Sequence, residues 1–174
     1  VEGQAAAIAD DIAYNTHDID DGVRAGLFSL DELAEAVPFV AETLRAVRRR
    51  WPGLEFSRLS HEFQRRQITA MVEDVIAGAR TILDEEKPAS ADVIRRRGAQ
   101  TVGFSDAMRQ TDHHLKSFLF DRMYRAPQLM RFREMADDTI RRLFHRYTTD
   151  PSSLPSEWRR EAVRTADEPR AARI

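Results

Sequence analysis

Residues Ala9 to Gly22 read ADDIAYNTHDIDDG, five carboxylates, a tyrosine and a histidine within fourteen positions. Such crowded acids repel one another unless water or a cation compensates. At about 100° per residue, with Asp10 at zero, Tyr14, His17 and Asp21 fall within roughly 40° of it and Asp18 lies near 80°. Ala5, Ile8, Ile12, Ile19 and Val23 gather on the opposite side. The stretch therefore reads as a two-faced helix, one stripe apolar and the other rich in hard oxygen ligands. Two readings of the polar stripe stand open. Either the acids simply meet water, or Asp10 is a metal ligand and Tyr14 and Asp18, one and two turns on, reach a bound substrate along one edge of a cleft.

Other motifs fail. Taking Gly22 as the turn glycine of a calcium loop puts His17 and Ile19 at ligand positions. There is no HExxH, no phosphate-cradling glycine loop and no GxSxG. His113 and His114 are adjacent, so on a helix they point about 100° apart and make a poor chelating pair. They read as surface or half-buried residues.

The elements that position these residues are helical. Glycine and proline number seven each in 174 residues, and no run of alternating β-branched residues occurs. A first helix is expected from about Glu2 to Asp21, ending near Gly22 as a C-terminal glycine. Ser29 and Glu32 have capping-box spacing and start a second helix at Leu30. Pro38 is placed as a first-turn proline ahead of a helix over Phe39 to Arg50. Trp51 to Gly53 breaks the chain. A long helix follows from about Leu59 to Glu86, its buried stripe given by Phe63, Ile68, Met71, Val72, Val75, Ile76, Ile82 and Leu83. A short helix around Val93 to Arg97, a loop at GAQTVGFS, helices over Asp106 to Tyr124 and Pro127 to Thr148, and a last helix near Pro155 complete an all-α array of roughly seven helices.

Composition narrows the class. Apolar residues make 42% and charged residues 32% of the chain, a globular balance long enough for one domain with a real core. No apolar run approaches the ~20 residues of a membrane helix, and no signal peptide opens the chain, so an intracellular, cytoplasmic protein is expected. The absence of cysteine removes thiolate nucleophiles, zinc-thiolate sites and disulfides. A formal net charge of -2 gives no global attraction to nucleic acid. Of the 27 basic residues only Lys87 and Lys116 are lysine. Arginine's planar fork suits phosphate, though a GC-rich genome gives the same bias. The chain opens at Val1 already in helical rhythm and ends on DEPRAARI with no stop signal. It reads as an interior piece of a longer protein.

The run EGQAAAIADDIAYNTHDIDDGVRAGL, Glu2 to Leu27, resembles a signature segment of bacterial dGTPase-like deoxynucleoside triphosphate triphosphohydrolases of the HD superfamily. LKSFLFDRMYRAP, Leu115 to Pro127, and LPSEWRR, Leu154 to Arg160, are similar to the helical region that accompanies that domain. The resemblance implies an all-α multi-helix array forming part of an HD-domain phosphohydrolase fold. Residues 1–28 would be the tail of the catalytic core and residues 29–174 the associated helical region, packed with it as one unit. It implies further that Asp10 is the last of four metal ligands, and that Tyr14 and Asp18 contact the deoxyribose around its 3′-hydroxyl. His17-Asp18 spells HD but is not the metal-binding pair. The other ligands, a histidine and a His-Asp pair, would lie upstream of Val1. One ligand of four leaves this stretch inactive alone.

The implied reaction is attack of a metal-activated water on the α-phosphorus of a dNTP, releasing a deoxynucleoside and triphosphate. Mixed His/Asp ligation suits Mg, Mn or a similar transition metal. Arg58, Arg65 and Arg66 are candidate phosphate contacts, with Lys116 behind them. The triplets Arg48 to Arg50 and Arg95 to Arg97 read as helix C-terminal charges. A homo-oligomer is expected. The alternative is a non-catalytic helical oligomerisation or regulatory module that binds an effector dNTP or single-stranded DNA. Stacking on bases would need exposed aromatics. Phe118, Phe120, Tyr124, Phe132, Phe144 and Tyr147 instead have the helical spacing of core residues.

Overall fold

The computed structural model describes residues 1–162. Its elements are α1 (Glu2–Arg24), α2 (Leu30–Ala36), α3 (Pro38–Arg50), α4 (Phe56–Glu86), α5 (Ala91–Arg96) and α6 (Asp106–Leu119). A π-helical turn (Phe120–Tyr124), α7 (Pro127–Thr149), a 3-10 turn (Pro151–Ser153) and α8 (Ser156–Ala162) follow. The described residues form eight α-helices, in line with the roughly seven expected, and no strand. The chain divides into two compact units, Val1–Arg125 and the residues from Ala126 onward.

The first unit holds one core. Ile12 and Ile19 from α1, Leu30 and Leu33 from α2, Val40 and Leu44 from α3, Phe63, Met71 and Val75 from α4, and Leu115 and Leu119 from α6 form it together. α1 packs on α4 and α6, and α3 packs on both α2 and α4. The apolar stripe of α1 is where the spacing puts it, with Ile8 and Val23 packed at its edges, although Ala5 is exposed.

Local chemistry explains the boundaries. Ser29 and Glu32 close the capping box that starts α2, with Glu32 N–H to Ser29 Oγ at 3.1 Å and Ser29 N–H to Glu32 Oε2 at 2.7 Å. Pro38 occupies the first turn of α3. After Trp51 the chain turns through Gly53 at φ 79°, a left-handed value that costs glycine little. Trp51 is flanked by the guanidinium groups of Arg50 and Arg66, 5.7 and 5.0 Å from its ring.

Two expectations need correction. Gly22 does not end α1, which continues to Arg24 and turns at Gly26, φ 67°. Gly22 is buried within the helix because a Cβ there would stand 2.2 Å from Phe28 Cε1, so the residue makes room for the Phe28 ring. The stripe of α4 is also shifted. Ser60, Phe63, Gln67, Met71 and Val75 are its buried line, whereas Ile68, Val72, Ile76 and Leu83 are exposed. Gln67 is fully enclosed, and neither end of its amide has a hydrogen-bond partner, which costs about 1–3 kcal/mol.

In the second unit α7 starts on Pro127, and none of its own residues is buried. Asp137 pairs with Arg141 at 2.8 Å and Asp138 with Arg142 at 3.7 Å along its surface. Phe132, Met135, Ile140 and Phe144 are exposed on it, contrary to the core packing expected of the two phenylalanines. In the first unit Phe120 is exposed as well, while Phe118 and Tyr124 pack against the core as expected. The Asp150 carboxylate accepts from Ser152 N–H at 3.2 Å and caps the 3-10 turn before α8.

Candidate functional site

α1 presents Asp10, Asp11, Tyr14 and Asn15 to an open cavity of roughly 450 Å³, closed on its other side by Lys116 and Leu119 of α6 and by Tyr124 of the π-turn. The core-facing isoleucines fix the rotation of α1, so the opposite stripe must face outward. Tyr14 is 58% exposed. Asn15, on the border of the two stripes, is buried and donates to Asp112 Oδ1 at 2.6 Å, which ties α1 to α6.

A polar chain runs along the cavity. Lys116 Nζ lies 3.0 Å from Asp112 Oδ2 and 3.4 Å from Asp11 Oδ1. Burial works against the ammonium, but the two carboxylates outweigh it and hold Lys116 above the usual lysine pKa. No ion pair or side-chain hydrogen bond engages Asp10 among the described residues, whereas Asp11 is taken by Lys116. A free, exposed carboxylate on the rim fits one donor position for a hard divalent cation. Among the described residues no group of three His, Asp or Glu could hold one.

Asp18 stands apart from its acidic neighbours because it is buried, at 9% exposure. Its Oδ2 accepts the hydroxyl of Tyr124. Burial pushes the Asp18 carboxyl above the usual range, the Asp21 carboxylate adds to this, and His17 opposes it. His17 itself is exposed. Asp20 pairs with Arg24 at 2.6 Å and accepts from Gln64 at 2.7 Å, whereas Asp21 is exposed.

Arg58, Arg65 and Arg66 are not gathered at this cavity. The Gln64 bond to Asp20 places their helix segment beside a point ten residues, about 15 Å, along α1 from Asp10. Arg65 and Arg66 share Glu62, at 2.7 and 2.8 Å, and Arg58 is exposed. His113 and His114 are exposed, their ring centroids 6.3 Å apart. Asn15, Asp112 and Tyr124 escaped sequence reasoning. The i, i+4 relation of Asp112 to Lys116 was the one local signal; the other pairings cross about a hundred residues.

The described residues form helices, with no strand among them. Residues 102–174 match the phosphohydrolase-associated domain. Over its whole length the chain is similar to deoxyguanosinetriphosphate triphosphohydrolase-like proteins. It is 49% identical over 173 residues to the one from Allorhizobium ampelinum, covering 99% of this chain and 42% of that protein. Identity is 48% over 173 residues to the Rhizobium meliloti relative, again 42% of its length. It is 47% over 174 residues to deoxyguanosinetriphosphate triphosphohydrolase-like protein 1 of Mesorhizobium japonicum, 43% of that protein. The chain thus spans less than half the length of the curated relatives it matches. No described helix is long and apolar enough to cross a membrane.

Proposed function

We propose that this chain is one wall of the active site of a cytoplasmic dNTP triphosphohydrolase, which hydrolyses a dGTP-like substrate at the α-phosphorus to a deoxynucleoside and triphosphate. The observation that carries the reading is the cavity shared by the unpaired Asp10 carboxylate and the exposed Tyr14 ring on one face of α1. In the whole protein a bound divalent cation, Mg, Mn or a similar transition metal, would polarise phosphoryl oxygens and acidify the attacking water. Asp10 supplies one donor to it. Tyr14 packs against the deoxyribose, and Asp18 accepts its 3′-hydroxyl from behind. Residues 1–28 belong with the catalytic core, and residues 29–174 form the helical region built on it. Arg58, Arg65 and Arg66 serve the triphosphate only if it extends along α1 toward Asp20, and Lys116 stands closer. The stretch alone does not turn over, because it offers one donor of the set.

The test is Asp10→Ala in the full-length protein, assayed for triphosphate release with Mg or Mn and each dNTP. Loss of turnover by at least about a hundredfold with unchanged helicity is expected; turnover at the wild-type rate sinks the assignment.

A homo-oligomer is part of this reading, supported by the apolar residues exposed on α7. The same helix supports a second reading, a regulatory surface for an effector dNTP or single-stranded DNA. Phe132 and Phe144 stand exposed there among Arg131, Arg133, Arg142 and Arg146, which is the pairing of stacking rings with cations that single strands require. A labelled single-stranded oligonucleotide titrated at low and high salt separates the two. Steep salt dependence favours binding, and a flat titration removes it.

A further inference from the structure

Tyr124 reaches the cavity through an interruption of the helical register. Arg125 N–H bonds to Phe120 C=O at 3.2 Å, five residues back, so the chain widens into a π-turn after α6. Such turns recur where a helix must re-aim one side chain. This turn is anchored on both sides. Arg122 pairs with Glu32 at 2.5 Å, and Phe118 meets Phe28 edge-on at 5.0 Å. The phenol then lies against the cavity wall with its hydroxyl on Asp18.

A carboxylate has two oxygens and, when ionised, only accepts. Tyr124 occupies Oδ2 of Asp18. That bond restricts rotation about the carboxylate and leaves Oδ1 free to accept one further donor. Asp18 follows Tyr14 by one helical turn and is buried, at the side of the cavity that Tyr14 and Tyr124 line.

We propose that Tyr124 is a positioning residue for sugar recognition: its hydroxyl orients Asp18 so that the remaining carboxylate oxygen selects a substrate carrying a 3′-hydroxyl. This rests on the dNTP reading given above and goes beyond it by assigning the discrimination to a residue of the associated region. A phenylalanine at 124 keeps the ring packed and frees the carboxylate to rotate.

The experiment compares dGTP with 2′,3′-dideoxy-GTP as substrates of the full-length protein, wild type against Tyr124→Phe, Asp18→Asn and the double variant. A hydrogen bond to a charged group is worth about 1.5–3 kcal/mol, roughly a 10- to 150-fold effect. Tyr124→Phe should therefore lower the dGTP/dideoxy-GTP ratio of kcat/KM about tenfold, chiefly through KM for dGTP, and should add nothing in the Asp18→Asn background. Equal losses on both substrates, or no change in the ratio, overturn the inference, as does an additive double variant. A full-length wild-type protein that hydrolyses no dNTP overturns the proposed function and this inference with it; one that hydrolyses dNTPs without the Tyr124 effect overturns the inference alone.

Discussion

Gly22 decides how α1 meets the rest of the core, and two effects compete there. Alanine inside a helix ordinarily gains about 1 kcal/mol over glycine. A Cβ at 22, however, would lie 2.2 and 2.6 Å from two carbons of the Phe28 ring, itself held against Phe118. Overpacking of this kind costs about 1–3 kcal/mol, so the clash wins. Gly22→Ala should lower the urea midpoint by the equivalent of up to about 2 kcal/mol. Gly3→Ala, whose Cβ would meet nothing within 4 Å, should not lower it. Asp18 makes the opposite trade. Its carboxyl is raised above the usual range by burial, with Asp21 adding to the effect, so ionisation costs more in the folded chain than in the unfolded one. The associated stability is present below the unfolded pKa and lost as pH rises through the folded value. Asp18→Asn should thus be more stable than wild type at neutral pH, with the gap closing in acid. A midpoint difference that does not change with pH would contradict this.

At the scale of the element, what could be read from sequence was whatever local chemistry dictates. Ser29 with Glu32, Pro38 and the break at Trp51 to Gly53 all mark real boundaries, because caps and turns are settled within four residues. Removing the cap by Ser29→Ala should cost about 1 kcal/mol. Glu32 is held below the usual carboxylate range by the Ser29 backbone N–H first, then by the Ser29 hydroxyl and Arg122. This contribution is present above the unfolded pKa and fades as pH falls through the lowered folded one. A thermal melt series from pH 6 to 3 should therefore show a shallower acid limb for Glu32→Gln. The line of α4 was misread for a different reason. Its true inward row includes Ser60 and Gln67, so a search for apolar residues slides onto the exposed Ile68, Val72 and Ile76 beside it. In the candidate site, the shared face of Asp10 and Tyr14 was legible from spacing within one helix, whereas their roles rest on the resemblance. Tyr124 was not, since a π-turn changes the register on which any wheel depends.

For the molecule as a whole, the buried cluster ends at Leu119, with Met123 and Tyr124 packed against its edge. Every member of this cluster lies in the first unit. A chain ending at Arg125 should therefore unfold cooperatively with its melting temperature within about 5 °C of the parent, a change of about 1 kcal/mol or less at this size. Circular dichroism melts of the two chains decide it, and a non-cooperative or much lower transition would show that the residues from Ala126 onward hold the first unit together. The charge pattern agrees with this division. The long-range ion pairs Arg48–Asp31, Lys116–Asp11 and Arg122–Glu32 join helices of the first unit, whereas Arg141 and Arg142 pair within α7.

The scarcity of lysine, noted as a compositional bias, has a practical side. Lys116 lies on the cavity and Lys87 caps the far end of α4. An amine-acylating reagent therefore finds two lysine side chains in this stretch, one on the cavity and one that serves as an internal standard. The ratio of their labelling, read by peptide mass, is a footprint of cavity occupancy that needs neither turnover nor a tagged ligand.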